Sequence, residues 1–317
     1  MTKKILIIGG SGRLSGTLAE RLRGDHEVWA LTRGNQPAKE GITPLKADRN
    51  NEEDFQNVIL NTNVKWDMVF DCICMNKAHA AQDLAVLSKV TNRLVVISTD
   101  SVYDHTQKKT PQNEDGCFEE IKEDSDGFNY GANKRQMEEV FLEYFNSPAA
   151  TPESIQVTLF RPGHIYGPGF LIGCYPNHSR QADLPEYMRS GQPLDLVAGG
   201  IYITQPIYVD DLVDTMIDCV DNTKTYNQIF CIGGPDAVEN KIYYELMGEH
   251  LGVPVTINEI PLTGFLDSHP EFAGHLCHRI YDLSKLKETG VKMPGTSLKE
   301  GLKKHLTALG YSQTKDL

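Results

Sequence analysis

A surplus of basic charge is the first thing this 317-residue chain lacks. Against 31 Lys and Arg stand 43 Asp and Glu, a formal net charge of −12. No basic field exists to hold a polynucleotide or an anionic membrane surface, so neither is expected as a partner. Long apolar runs are missing too, and none approaches the roughly 18 residues of a membrane span. The apolar stretch behind Met1-Thr-Lys-Lys is cut short by glycine, too soon for a secretory signal. Paired cysteines are also absent: the seven, at 72, 74, 117, 174, 219, 231 and 277, are odd in number and scattered. They read as reduced thiols, mostly in the core, of a cytoplasmic protein. Cys72-Ile-Cys74 and His275-Leu-Cys277-His278 lack the second ligand pair of a zinc site, so no metal is expected. No internal repeat or low-complexity segment interrupts the chain. Its length points to two closely joined lobes.

What is present begins at the N-terminus. The run Ile5-Leu-Ile-Ile8 stops at Gly9-Gly-Ser-Gly12, as a strand buried on both faces would. Leu14, Leu18 and Leu22 then recur every fourth residue, the apolar stripe of a helix that starts where the glycines end. A strand, a glycine turn and a helix N-terminus make an anion site. Backbone N–H groups converge there, and missing Cβ atoms let a pyrophosphate come close. Further strands are expected at 27–32, 42–47, 66–74, 93–98 and 155–160, with helices at 52–60, 78–90 and 130–145. That alternation calls for an α/β fold with a doubly wound parallel sheet, the Rossmann arrangement, over residues 1–162. Residues 163–317 read as a smaller mixed substrate lobe, some segments of which return to the first domain. It carries helices near 180–190, 210–221, 239–251 and 297–308, and strands near 228–232 and 254–258. The acidic stretch 104–128 reads as a solvated lid.

Tyr130 and Lys134 lie four residues apart at a helix start, so phenol and ammonium share one face. A neighbouring ammonium favours phenolate and lowers a tyrosine pKa from near 10. Ser98-Thr99-Asp100-Ser101 ends the fifth strand and aims a hydroxyl at the same crevice. Hydroxyl, phenol and amine beside a nicotinamide are a proton-handling set for hydride transfer at a C–OH/C=O carbon.

In that combination the chain resembles the extended short-chain dehydrogenase/reductases, in the NAD(P)-dependent epimerase/dehydratase group, over nearly its whole length. The likeness rests on the glycine turn, Asp48, Ser98-Thr-Asp-Ser-Val-Tyr103, Tyr130-x-x-x-Lys134 and Arg161-Pro-Gly-His-Ile-Tyr-Gly-Pro168. Gln205-Pro-Ile-Tyr-Val-Asp-Asp-Leu212 and Tyr281-Asp-Leu-Ser-Lys-Leu286 extend it. The resemblance implies Thr99, Tyr130 and Lys134 as the catalytic set. It implies a cofactor site from Gly9, Ser11, Gly12, Arg13, Leu14, Arg33, Asp48, Cys72, Tyr130, Lys134 and Pro162. For substrate it implies Thr99, Asp100, Ser101 and His164, and for assembly a homodimer through helices 78–90 and 130–145. Met137, Val140, Phe141 and Phe145 are the stripe that such a dimer would use, although the core must claim part of it.

Three departures stand out. Ser15 occupies the place of the family's third glycine, and Ser101 the place of the glutamate base of sugar dehydratases. His164 and Thr204 replace the Asn and Arg that commonly grip a nucleotide-sugar diphosphate. The expected activity is hydride transfer on a nucleotide sugar or similar metabolite. The alternatives are an NADPH-dependent reductase of a small keto compound and a non-catalytic, cofactor-binding regulatory or nucleic-acid-binding module. Strand two ends in Leu31-Thr-Arg33, without the carboxylate that an NAD preference usually needs. NADP(H) is therefore the expected cofactor and NAD(H) the alternative. Arg13 is expected on the same side as Arg33. The polar cluster His269, Glu271, His275, His278 and Arg279 reads as solvated loop, with an anionic substrate as its other use.

Overall fold

The computed structural model describes residues 1–120, 130–174 and 177–312. Strand β1 (Lys4–Ile8) lies between two parallel neighbours and is sealed from water, Ile5 to Ile8 being at most 2% exposed. Alternation along it decides the layers. Ile5 and Ile7 face one apolar core, and Leu6 and Ile8 face the other. Helix α1 (Arg13–Leu22) covers the first face with Leu18, Ala19 and Leu22. The sheet continues through β2 (Glu27–Thr32), β3 (Ile42–Lys46), β4 (Met68–Asp71), β5 (Arg93–Ile97) and β6 (Gln156–Pro162). Helices α2 (Glu52–Asn61), α3 (Lys77–Leu87) and α4 (Tyr130–Phe145) pack on the second face through Phe55, Ile59, Leu87, Met137 and Phe141.

The remaining elements are β7 (Ile165–Tyr166), α5 (Leu184–Arg189), β8 (Leu194–Val197), β9 (Ile203–Thr204), β10 (Ile207–Tyr208) and α6 (Val209–Asp218). After these come β11 (Gln228–Ile232), β12 (Val238–Glu239), α7 (Asn240–Leu251), β13 (Ile257–Ile260), α8 (Leu262–Ser268), α9 (Ser284–Glu288) and α10 (Leu298–Ala308). Strand β11 pairs with β6 and completes a seven-stranded parallel sheet ordered β11-β6-β5-β4-β1-β2-β3. Helix α6 brings Leu212, Val213 and Met216 to the core that α1 covers. Two segments beyond residue 162 thus belong to the first layer. The order of strands reverses between β1 and β4, where the crevice of such a sheet opens at the carboxyl ends. The second lobe has its own core of Tyr166, Tyr208, Tyr243, Tyr244, Leu302 and Leu306.

Leu14 packs its side chain in the sheet-facing core, and its backbone N–H, in the first turn of α1, has no partner within the helix. Met137 and Phe141 are fully buried in the second core, which leaves Val140 and Phe145 as the partly exposed remainder of the supposed dimer stripe. The described half of the 104–128 stretch is no loose lid. Tyr103 pairs with Phe118 and Gln112 with Tyr281, and the Gln112 side chain is wholly buried. The acidic residues at 123, 124 and 126 lie outside the described residues.

Candidate active site

The glycine turn is built as a cradle. Gly9 has φ +86° and lies so close to Ile73 that a Cβ there would meet its Cγ2 at 2.6 Å. Gly12 caps α1 in an extended conformation with no side chain bonded over the helix end. The first N–H groups of α1 and its dipole are therefore open to an anion. Ser15, the departure from the glycine pattern, is buried and donates its Oγ to the Gly9 carbonyl at 2.5 Å. The hydroxyl thus closes the turn from inside, and the missing glycine costs the cradle nothing visible in its shape.

A cavity of about 370 Å³ adjoins the cradle, lined among others by Gly12, Thr32, Arg33, Asp48, Asn50 and His79. Asp48 Oδ1 accepts from the Asn50 amide N–H at 3.0 Å and from Asn50 Nδ2 at 3.1 Å. Asn50 Oδ1 in turn lies 3.2 Å from His79 Nε2. Burial, with the Arg49 charge beside it, pushes the His79 pKa down to about 4, and the neutral ring accepts from Met75 N–H at Nδ1. This chain of bonds fixes the Asp48 carboxylate at the cavity wall. Beneath it Arg49, which sequence reasoning passed over, bonds the buried Asp71 and Asp83 carboxylates. Asp71, Cys74 and Asp83 place ligand atoms within 4.8 Å of one another, but the Arg49 guanidinium already bonds both acids. The cluster is an ion pair network.

Arg13 sits over the ring of Phe170, 6.0 Å from its centroid, and Phe170 lines the crevice described next. Cys72 lies between Asp71 and the cavity-lining Ile73, close enough to Lys134 to feel its charge, and burial holds its thiol up at about 12. Gly9, Ser11, Arg33 and Asp48 do meet around the cavity.

The crevice of about 490 Å³ at the end of β5 and β6 is lined by Thr99, Ser101, Tyr130, Pro162 and His164. Tyr130 opens α4, and the second residue, Gly131, packs directly on the Ser101 carbonyl, where a Cβ would collide. Only glycine lets the helix start this close to the strand end. One turn on, Lys134 is 2% exposed and donates to the carbonyls of Cys74 and Ile97, both at 2.7 Å. Two of the three ammonium donors are thereby spent, and one is left for a ligand. Its Nζ lies 5.9 Å from the centre of the Tyr130 ring, so it acts on the phenol through space. Burial lowers the Lys134 pKa to about 8, which keeps it mostly charged at neutral pH. Thr99 Oγ1 accepts from Ser101 N–H at 3.2 Å and lies 3.3 Å from Ser101 Oγ.

Asp100 departs from the expected substrate role. Its carboxylate is 1% exposed and accepts from Arg279 at 2.5 and 2.7 Å, Lys108 at 2.8 Å and the Tyr281 hydroxyl at 2.6 Å. Burial alone would raise its pKa; the Arg279 and Lys108 charges hold it well below the carboxylate range. It does not line the crevice and is a fixed anion that cannot serve as a reserve acid. His164 does line the crevice. Burial and the cations Arg279 and Arg180 push its pKa down to about 3, so the ring is neutral. Sequence reasoning also missed the support beneath Thr99. Glu138, fully buried on α4, accepts from Ser98 Oγ at 2.6 Å and from Arg161 at 2.7 and 2.9 Å. Arg161 also donates to Tyr103 Oη at 2.6 Å and the Glu114 carbonyl at 2.8 Å.

Known proteins are similar to this chain over nearly its whole length. Residues 5–233 match the NAD dependent epimerase/dehydratase family. A UDP-glucose 4-epimerase of Vibrio cholerae is 25% identical, the alignment covering all of this chain and 98% of that one. An epimerase structure from Methanothermobacter thermautotrophicus superposes with a TM-score of 0.77 at 17% identity, covering 98% of this chain and 92% of the other. A UDP-glucuronic acid 4-epimerase from Bacillus cereus, solved with UDP-glucuronic acid and NAD, gives 0.72 at 17% identity, with 97% and 99% coverage.

Proposed function

Because the chain belongs to the NAD dependent epimerase/dehydratase family, we propose that it is an NAD(P)-dependent epimerase acting on a nucleotide sugar. The observation that carries this reading is Lys134, buried under the crevice with one donor unspent and its charge close to Tyr130. A buried lysine without a carboxylate partner is costly; here its place is explained by a phenol and a ligand. The uncapped start of α1 and the cradle at Gly9 fit a dinucleotide pyrophosphate, and Asp48 fits an adenine amine. The nicotinamide cofactor, when bound, accepts a hydride from a carbinol carbon and gives it back.

The chain's own residues manage the proton. Tyr130 takes the hydroxyl proton as the C–H bond yields its hydride, leaving a ketone, and returns the proton when hydride re-enters at the other face. Thr99 Oγ1 hydrogen-bonds the reacting oxygen and holds it against the phenol. Lys134 stabilises the phenolate by its charge and holds the nicotinamide ribose through its third donor. Ser101 in place of a glutamate offers no base for β-elimination, which argues for epimerisation over dehydration. Incubation with UDP-glucose and chromatographic separation of the nucleotide sugars tests the reading. Formation of UDP-galactose, with cofactor released only on denaturation, is the expected result. No interconversion of any nucleotide sugar tried, with freely exchanging NADPH, would favour the small-ketone reductase instead.

The cofactor preference proposed is NADP(H). The support is Arg33 at the rim of the Asp48 cavity and the absence of a carboxylate at the end of β2. Arg33→Ala is expected to weaken NADPH about 10-fold and leave NADH nearly unchanged, since a charged hydrogen bond is worth roughly 1.5–3 kcal/mol. Equal loss of both in fluorescence titration would show that Arg33 does not read a 2′-phosphate. A homodimer through α3 and α4 would now rest on Leu84, Val140 and Phe145. Light scattering at micromolar concentration is expected to give twice the 35.4 kDa chain mass, and a monomer would refute it.

A further inference from the structure

The crevice has a charge opposite to that of the protein. In a chain of net charge −12, its lining carries the cations Arg180 and Arg279 beside the neutral His164 and His275, and no Asp or Glu among the described residues. Around Asp100 the balance is also positive, since one carboxylate faces both Arg279 and Lys108. Arg279 uses Nε and Nη2 on Asp100 and keeps Nη1 unspent. Arg180, exposed at the crevice, has no ion pair or hydrogen bond among the described residues and shares the lining with Ile97, Pro162, Ile165 and Phe170. The backbone presents it at a cost. Arg180 and His178 both have left-handed φ, +53° and +54°. His178 pins that turn by bonding Gln181 Oε1 at 2.8 Å and accepting from the Asp195 N–H at 3.0 Å. Strained backbone held in place so as to carry a partnerless cation is a feature of ligand sites. The buried Nε2 of His164 next to them also lacks a partner.

We propose that Arg180 and the open edge of Arg279 form an oxyanion subsite that receives a carboxylate or phosphate of the substrate beside Thr99 and Tyr130. It stands in for the Asn and Arg that His164 and Thr204 replace. The subsite deepens the nucleotide-sugar reading, which supplies the carrier of the anion. Both oxyanions suit the same guanidinium fork.

The test is calorimetric titration of protein saturated with NADP, and in parallel with NAD, using UDP-glucuronic acid, UDP-glucose and inorganic pyrophosphate. Arg180 is exposed, so Arg180→Ala should fold as wild type does. The substitution is expected to weaken at least one probe by about 10- to 100-fold, and Arg180→Lys to recover part of the loss. Loss confined to UDP-glucuronic acid identifies the anion as a carboxylate on the sugar. Equal loss for UDP-glucose and pyrophosphate identifies the diphosphate. Arg180-dependent pyrophosphate binding without either nucleotide sugar would keep the subsite and remove the nucleotide-sugar reading. All probes binding Arg180→Ala as they bind wild type, or none binding wild type, would overturn the subsite, whatever the epimerase assay shows.

Discussion

Tyr130→Phe is expected to lower turnover by a factor on the order of 10² to 10⁴, the usual worth of a positioned proton donor. Only the phenolic hydroxyl is removed, and with it the proton donor. The ring is 39% exposed at the mouth of the crevice, so little packing depends on the hydroxyl and the melting temperature should barely move. Cofactor affinity should stay as well, since Lys134 and the glycine cradle hold it. Two companion variants separate the roles. Thr99→Val should cost turnover with little change in cofactor binding. Lys134→Ala should lose turnover and cofactor affinity together, and stability as well, because the Cys74 and Ile97 carbonyls lose their donor. Undiminished turnover in Tyr130→Phe would sink the mechanism, because Asp100 is locked among Arg279, Lys108 and Tyr281 and cannot take over.

The largest loss of stability is expected from Glu138→Ala. It strands the Arg161 guanidinium, 2% exposed, with no carboxylate, and removes the acceptor of the Ser98 hydroxyl. Breaking one partner of a buried pair typically costs about 3–5 kcal/mol. Denaturant unfolding followed by circular dichroism measures it. Replacing both charges by apolar residues, as in Glu138→Leu with Arg161→Met, should recover much of the loss, because neither charge is then left alone in the interior. A single variant within about 0.5 kcal/mol of wild type would show that the pair is solvated, contrary to its burial.

Several of these residues were visible in the sequence for physical reasons. The strand, turn and helix at residues 4–22 show themselves because period-2 and period-3.6 apolar patterns meet at glycines. Tyr130 and Lys134 were found through their helical spacing. The same spacing reaches Glu138, so its place on the sheet-facing side of α4 is legible in the helical period. Arg161 carried no such signal, because only the folded sheet shows that its strand position points inward toward α4. Adjacency to the turn does not show which way Arg13 leans, and only the fold places it over Phe170. Arg180 and Arg279 lie in loop-rich stretches without periodicity, 99 positions apart in sequence, and meet only through the second lobe's path. The two-residue strands β7, β9, β10 and β12 are too short for any alternation to register.

The clamp on Asp100 also sets an order of events during synthesis. Its partners Arg279 and Tyr281 lie 179 and 181 positions downstream, whereas β11, the last strand of the main sheet, ends at residue 232. All seven strands of that sheet are therefore synthesised before the two residues that complete the clamp on Asp100. The clamp is among the most non-local contacts of the fold, and the entropy of closing so long a loop must be met before it can form.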